Sequence, residues 1–192
     1  KPDPELIKEA SDKYKIWASD IMPIKNWYSI AVAELPIHIG RIACQRSNCW
    51  WDSEQRRYYA AAIIISITIM FLLLFGLSFI SGLTLENFMM KVITPAAPAL
   101  LLGIRQYNEQ TEAATRLDKF KGHAEKLWDM AFSGKTASEI MSESRNLQDE
   151  IFENRKKNPP VFDFIFKRLR PSYEQRMNFG VEELVADAKK RG

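Results

Sequence analysis

The sequence predicts an all-α protein: a membrane-embedded helical hairpin plus a cytoplasmic helical domain built from segments on both sides of it. Three observations point there. Of the 51 charged residues, only Glu86 and Lys91 lie between positions 60 and 104, whereas a soluble domain spreads its charges along the chain. The flanks repeat their apolar residues at spacings of three and four, the period of a helix with one buried face. No run with strict period-two alternation stands out. The expected division is residues 1–59, cytoplasmic and juxtamembrane helices; 60–104, the hairpin; and 105–192, a cytoplasmic helical domain.

The first fifteen residues have an acidic, proline-marked start and read as a short helix with Leu6, Ile7 and Ala10 on one side. An irregular aromatic segment over 16–30 follows. Pro36 can then occupy the first turn of a helix from about Leu35 to Tyr59 that continues into the membrane. Between Arg41 and Arg57 this helix mixes charges with Gln45, Asn48 and Gln55. Such a tract cannot enter lipid, so it must face water, headgroups or another protein surface.

From Ala60 to Leu85 the chain runs 26 residues without a charge; at about 1.5 Å per residue that is roughly 39 Å, against a hydrocarbon core of about 30 Å. The run is apolar all round, and Ser66, Thr68, Ser78 and Ser81 can bond back to the helix backbone. A second apolar stretch, Phe88 to Ile104, follows so closely that the two read as a hairpin with spans over about 60–82 and 88–104. Pro95 and Pro98 in the second span delete amide donors and should bend it. That bend is either a tolerated kink or a hinge. Arg46, Arg56 and Arg57 precede the first span, Arg105, Arg116, Lys119 and Lys121 follow the second, and the connection carries no basic residue, which puts both flanks in the cytoplasm. Trp50, Trp51, Tyr58 and Tyr59 stand just ahead of the first span, where they are either headgroup-level anchors or packing for the juxtamembrane helix.

After the membrane, Ala113, Leu117, Phe120, Ala124, Leu127 and Ala131 mark one long helix that stops before Gly134. Thr136 or Ser138 can cap the next, whose stripe is Ile140, Met141, Leu147, Ile151 and Phe152 and which must end before Pro159 and Pro160. Val161, Phe162, Ile165, Phe166 and Leu169 form one face of a further helix. A final helix carries Met177, Val181, Leu184, Val185 and Ala188.

The charges exclude several functions. The net charge of +3 divides evenly between the flanks, with nine basic and eight acidic groups before the hairpin and seventeen and fifteen after it, so no segment forms a groove for a nucleic-acid polymer. Cys44 and Cys49 are the only cysteines, and a cytoplasmic location keeps them as thiols. His38 and His123 have no companions at metal-ligand spacing, and the acidic set Asp149, Glu150 and Glu153 is followed at once by Arg155, Lys156 and Lys157, the pattern of a salt-bridged helix face. Phosphate-loop, nucleophile-elbow and zinc-protease motifs are missing. The expectation is therefore a non-enzyme without metal or cofactor. The basic sets Arg155, Lys156, Lys157 and Lys167, Arg168, Arg170 interleave with Phe162, Phe164 and Phe166. They offer either a nucleotide-binding surface or a rim drawn to anionic lipid.

At CQRSNCWWDSEQRRYY (Cys44 to Tyr59) and at LQDEIFENRKKNPPVFDFIFKRLRPSYEQRMNFGVEELV (Leu147 to Val185), the chain resembles the SMODS-associated four-transmembrane family of pore-forming effectors. The opening KPDPELIKEASDKYK is similar to the stretch that follows that family's first membrane pair. The resemblance implies a second membrane pair upstream of Lys1, so the sequence reads as a piece of something longer. It also implies a role in bacterial antiphage defence at the inner membrane. A partner nucleotidyltransferase makes a cyclic oligonucleotide, the cytoplasmic part responds, and the membrane part permeabilises the bilayer as a homo-oligomer. Within that expectation Arg46, Arg56 and Arg57 are the coupling residues, and the basic face from Arg155 to Arg170 receives the signal. The rival expectation is a passive membrane anchor or scaffold for a signalling partner.

Overall fold

The computed structural model describes residues 28–191 together with Glu5, Lys8, Glu9 and Asp12. The expected stripe of Leu6, Ile7 and Ala10, and the aromatic segment up to residue 27, lie outside the described residues. Four helices carry the fold, and no strand occurs among the described residues. A short 3-10 turn, Ile30–Glu34, leads into α1, Ile37–Ile80. α2 covers Leu85–Ala131, α3 Ala137–Lys157 and α4 Asp163–Arg191.

α1 begins two residues later than expected, because Pro36 takes an extended ψ of 143° and acts as the N-cap rather than as a helical residue. It then runs 44 residues without a break, and α2 runs 47, lengths of about 65 to 70 Å. Each helix is thus half bundle and half span. Only 6% of the most apolar window of each is buried inside the protein, and side chains such as Ile65, Leu72, Leu77, Phe79 and Leu101 point outward uncovered. Water is a poor solvent for such a surface, and lipid a good one. Ser66, Thr68, Ser78 and Ser81 each donate to the carbonyl four residues back, at 2.7 to 2.9 Å, which satisfies their hydroxyls without a partner helix.

The hairpin turns earlier than the sequence suggested, at Ser81 to Thr84. Gly82 adopts a φ of +67°, its amide donates to Phe79, and the Leu83 amide donates to Ser78, so a Schellman turn ends α1. Thr84 caps the start of α2. Phe88 is buried beneath Phe71 and Phe75, its ring centroid 5.6 Å from that of Phe75. Lower down, Gly103 lies so close to α1 that a Cβ there would press on the Ile67 side chain. Glycine there leaves room for the Ile67 side chain between the two spans.

Outside the hairpin, the first half of α1 and the second half of α2 join α3 and α4 in a helical bundle. Ile39, Ile42, Ala43 and Cys49 of α1 pack on Ala124, Leu127 and Trp128 of α2, Ile140, Leu147 and Ile151 of α3 and Ala188 of α4. Of the stripes read from the sequence, most positions are buried, Phe120, Ala131, Val161, Phe166 and Leu184 are half-buried, and Met141, Phe152 and Phe162 are exposed. Thr136, with Glu139, forms a capping box for α3. The two helices expected after Pro160 are one: α4 passes through Pro171, whose missing amide is tolerated because Leu169 before it and Met177 beyond it hold the same buried face. Cys44 and Cys49 are free thiols, and burial pushes Cys49 up to about 12.

Candidate functional site

Where α1 and α2 enter the apolar region, the bundle is held by buried polar side chains rather than by apolar packing. Arg56 lies four residues before Ala60, one helical turn from the span, and is 7% exposed. Its Nε donates to Asp52 Oδ1 at 3.0 Å, and its Nη1 donates both to Gln110 Oε1 of α2 at 2.8 Å and to the Pro159 carbonyl at 2.9 Å. Gln110, fully buried, donates in turn to the Pro160 carbonyl at 3.1 Å. The prolines break the helix, so the carbonyls of this connector have no intrahelical amide and must find donors elsewhere. One guanidinium therefore ties α1, α2 and the α3–α4 connector together. Burial pulls Arg56 below its ordinary value, opposed by Asp52, and it remains a cation all the same.

Neighbouring pairs widen this clamp. Ser53 donates to Asp118 Oδ1 at 2.7 Å, and Arg57 pairs with Asp118 and with Glu54. Arg116 donates to Asn154 at 3.1 Å and to Asn158 at 3.3 Å. Further from the membrane, Gln45 donates to the Ser144 carbonyl at 2.8 Å and accepts from the Ser144 hydroxyl at 3.1 Å. The mixed tract of α1 that cannot enter lipid thus turns Gln45, Gln55 and Arg56 into the interior of its own bundle and leaves Arg41 and Arg57 exposed.

A second feature is basic. A cleft of about 220 Å³ opens between α1, α2 and α4, lined by Arg46, Trp50, Lys121 and Arg176 with Ser47, Met177 and Gly180. Arg46 Nε reaches Glu125 at 2.9 Å and Lys121 Nζ reaches the same oxygen at 3.8 Å. Two cations therefore share one carboxylate, and the third, Arg176, lies 5.7 Å from the Tyr173 ring centre. Tyr173 also contacts Trp50, at 5.8 Å. Cations from three helices outnumber the carboxylate in a walled recess, which raises the local concentration of anions, and aromatic faces beside them suit a planar base.

The residues singled out from sequence are distributed as follows. Arg56 and Arg57 belong to the clamp, and Arg46 to the cleft. Trp51 is 4% exposed among Phe166 and Tyr173, about 13 Å along the helix from Ala60, so its ring packs the bundle. Tyr58 is exposed, and Tyr59 meets Phe162 at 5.7 Å. Arg155 reaches Asp52 at 3.6 Å, Lys156 pairs with Glu153, Lys167 with Asp163 and Arg170 with Glu174. Lys157 lines a separate recess with Arg116 and Asn154, and Arg168 is exposed. Three of these six cations, Lys156, Lys167 and Arg170, are answered by carboxylates of their own helices and Arg155 by Asp52 of α1, and the six are not gathered around one cavity. Pro95 and Pro98 stand in the first turns of Thr94–Ala131, directly after a π-helical turn, Met89–Ile93. There the Thr94 amide and hydroxyl both donate to the Met89 carbonyl. No group of three potential metal ligands occurs among the described residues.

Sequence reasoning did not select Gln110, Lys121, Tyr173 or Arg176 for a site. Lys121 and Glu125 have a visible spacing of four, but nothing local brings Arg176 to Arg46. Among known families, the model of the SMODS-associating 4TM effector domain matches residues 1–184. No curated protein and no solved structure matches the chain.

Proposed function

Because the chain belongs to the SMODS-associating 4TM effector domain family, we propose that this membrane effector responds to a cyclic oligonucleotide made by a partner nucleotidyltransferase and permeabilises the bacterial inner membrane. It acts by binding, not by catalysis. One observation carries the reading: α1 and α2 each run without interruption from the cationic cleft, through the Arg56 clamp, into the apolar hairpin. A helix transmits displacement along its axis, so a change in the bundle reaches the bilayer.

In this account Arg46, Lys121 and Arg176 receive the phosphates, and Trp50 or Tyr173 lies against a base. Drawing Arg176 toward α1 and α2 moves α4. The Pro159–Pro160 connector leads into α4, so that movement loads the bonds from Arg56 and Gln110 to the two proline carbonyls. The signal must bind the permeable state more tightly than the resting one, since only differential affinity shifts such an equilibrium. A single hairpin encloses no water path, and several copies around an axis do, so the permeable state is a homo-oligomer with both flanks on the cytoplasmic side.

The test uses the full chain reconstituted in dye-loaded vesicles, challenged with cyclic di- and trinucleotides. Dye release is expected with one of them. Arg46→Ala with Arg176→Ala removes two charge-assisted contacts worth about 1.5 to 3 kcal/mol each, which moves the activating concentration up by two orders of magnitude or more. Inserted protein that releases no dye with any of these nucleotides overturns the function. Release at an unchanged concentration in the double variant overturns the cleft.

A further inference from the structure

We propose that the α3–α4 corner, residues 159–164, is a membrane foot: Phe162 and Phe164 insert into the cytoplasmic headgroup layer beside the hairpin, with Lys167 and Arg168 at the lipid phosphates. This goes beyond the proposed response and does not depend on which nucleotide is sensed.

The placement comes from three contacts. Arg56 holds the Pro159 carbonyl at 2.9 Å, one helical turn before the apolar region opens at Ala60. Tyr59, the last residue before that region, meets Phe162 edge-on with ring centroids 5.7 Å apart. Phe162 and Phe164 stack on each other at 5.8 Å. The corner therefore lies at the level where α1 enters lipid.

Its chemistry fits that level. Phe162 is 60% and Phe164 67% exposed, so two adjacent aromatic rings lie uncovered at the edge of a surface that needs lipid. Water would penalise both rings and the headgroup boundary accommodates them. The next turn of α4 brings Arg168 and Lys167, both exposed, in reach of anionic headgroups; the Lys167 pair with Asp163 at 2.9 Å is itself solvent-exposed, so the ammonium stays available to a phosphate. Continuity with the hairpin favours lipid over a soluble partner as the occupant of this surface.

The consequence is mechanical. A foot in the headgroup layer fixes the start of α4 against the bilayer, so movement of α4 relative to α1 and α2 becomes movement relative to the membrane.

Spin labels test it directly. Phe162→Cys and Phe164→Cys are made singly in a Cys44→Ala background; Cys49 does not compete, being fully buried with its thiol pushed up to about 12. Phe179→Cys is the control, equally exposed at 64% but further along α4. The full chain sits in vesicles of phosphatidylethanolamine and phosphatidylglycerol, and each label is challenged with oxygen, which partitions into lipid, and with a water-soluble nickel chelate. Labels at 162 and 164 are expected to be relaxed by oxygen and shielded from nickel, a depth parameter opposite in sign to that at 179. Nickel access at 162 and 164 equal to that at 179 overturns the foot. Exclusion of both reagents also overturns it, because the surface is then covered by protein.

Discussion

Arg56→Ala is expected to destabilise the bundle by about 2 to 4 kcal/mol, because it strips the donor from one buried and one half-buried acceptor at once. Gln110 Oε1 and the Pro159 carbonyl both lose Nη1, which donates to them at 2.8 and 2.9 Å. Asp52 keeps Arg155 at 3.6 Å, which limits the loss on that side. Cys49 supplies the readout: it is fully buried with its thiol pushed up to about 12, so a thiol reagent reaches it only when the bundle opens. Its labelling rate should rise by about two orders of magnitude, since each 1.4 kcal/mol is tenfold in the opening equilibrium. Arg56→Lys should fall between, because an ammonium restores the charge without the planar fork that serves Asp52 through Nε while Nη1 serves the other two acceptors. In vesicles, the Ala variant should bind the nucleotide and yet release less dye, since α4 is no longer tied to the membrane entry. An unchanged Cys49 rate would show that the clamp is dispensable.

The second large effect is expected from Pro95→Ala with Pro98→Ala. Pro98 withholds an amide from inside the helix and Pro95 from its junction with the π-helical turn, and proline is about 3 kcal/mol less favourable than alanine in a helix interior. The π-helical turn over Met89–Ile93 ends two residues before Pro95, so irregular backbone and missing donors coincide in one stretch of the second span. Restoring both amides should convert the stretch to regular α-helix and slow hydrogen exchange across it. If this stretch is the hinge, dye release should fall by about tenfold or more, equivalent to 1.4 kcal/mol or more added to the permeable state. Slower exchange with full release would make the prolines a tolerated irregularity.

Much of this architecture is legible in the residues, for identifiable reasons. The hairpin is readable because charge is absent over a length set by bilayer thickness, and Ala113, Leu117, Ala124 and Leu127 because a buried helix face repeats at three and four. Thr136 and Glu139 announce the start of α3 by their own spacing. Other features depend on contacts between distant parts of the chain. Phe162 fits the apolar face of α4 by period, yet it is exposed, because the connector places it beside Tyr59 at the membrane entry. Trp50 and Trp51 suit either an interface or a core by composition, and only the position of Phe166 and Tyr173 puts Trp51 inside. The cleft joins Arg46 to Lys121 and Arg176 across three helices, a separation at which no periodicity operates. The basic residues from Arg155 to Arg170 look like one patch in sequence, whereas helical spacing hands several of them a carboxylate three or four positions away.

The central claim is that the hairpin is the working part and not a tether. Its most direct test exchanges residues 60–104 for an unrelated two-span hairpin of equal length, leaving the clamp and cleft intact, and measures nucleotide binding and dye release on the same vesicles. The account predicts that binding persists and release disappears. Release that survives the exchange would contradict it, and would leave the hairpin as an anchor for the helical bundle.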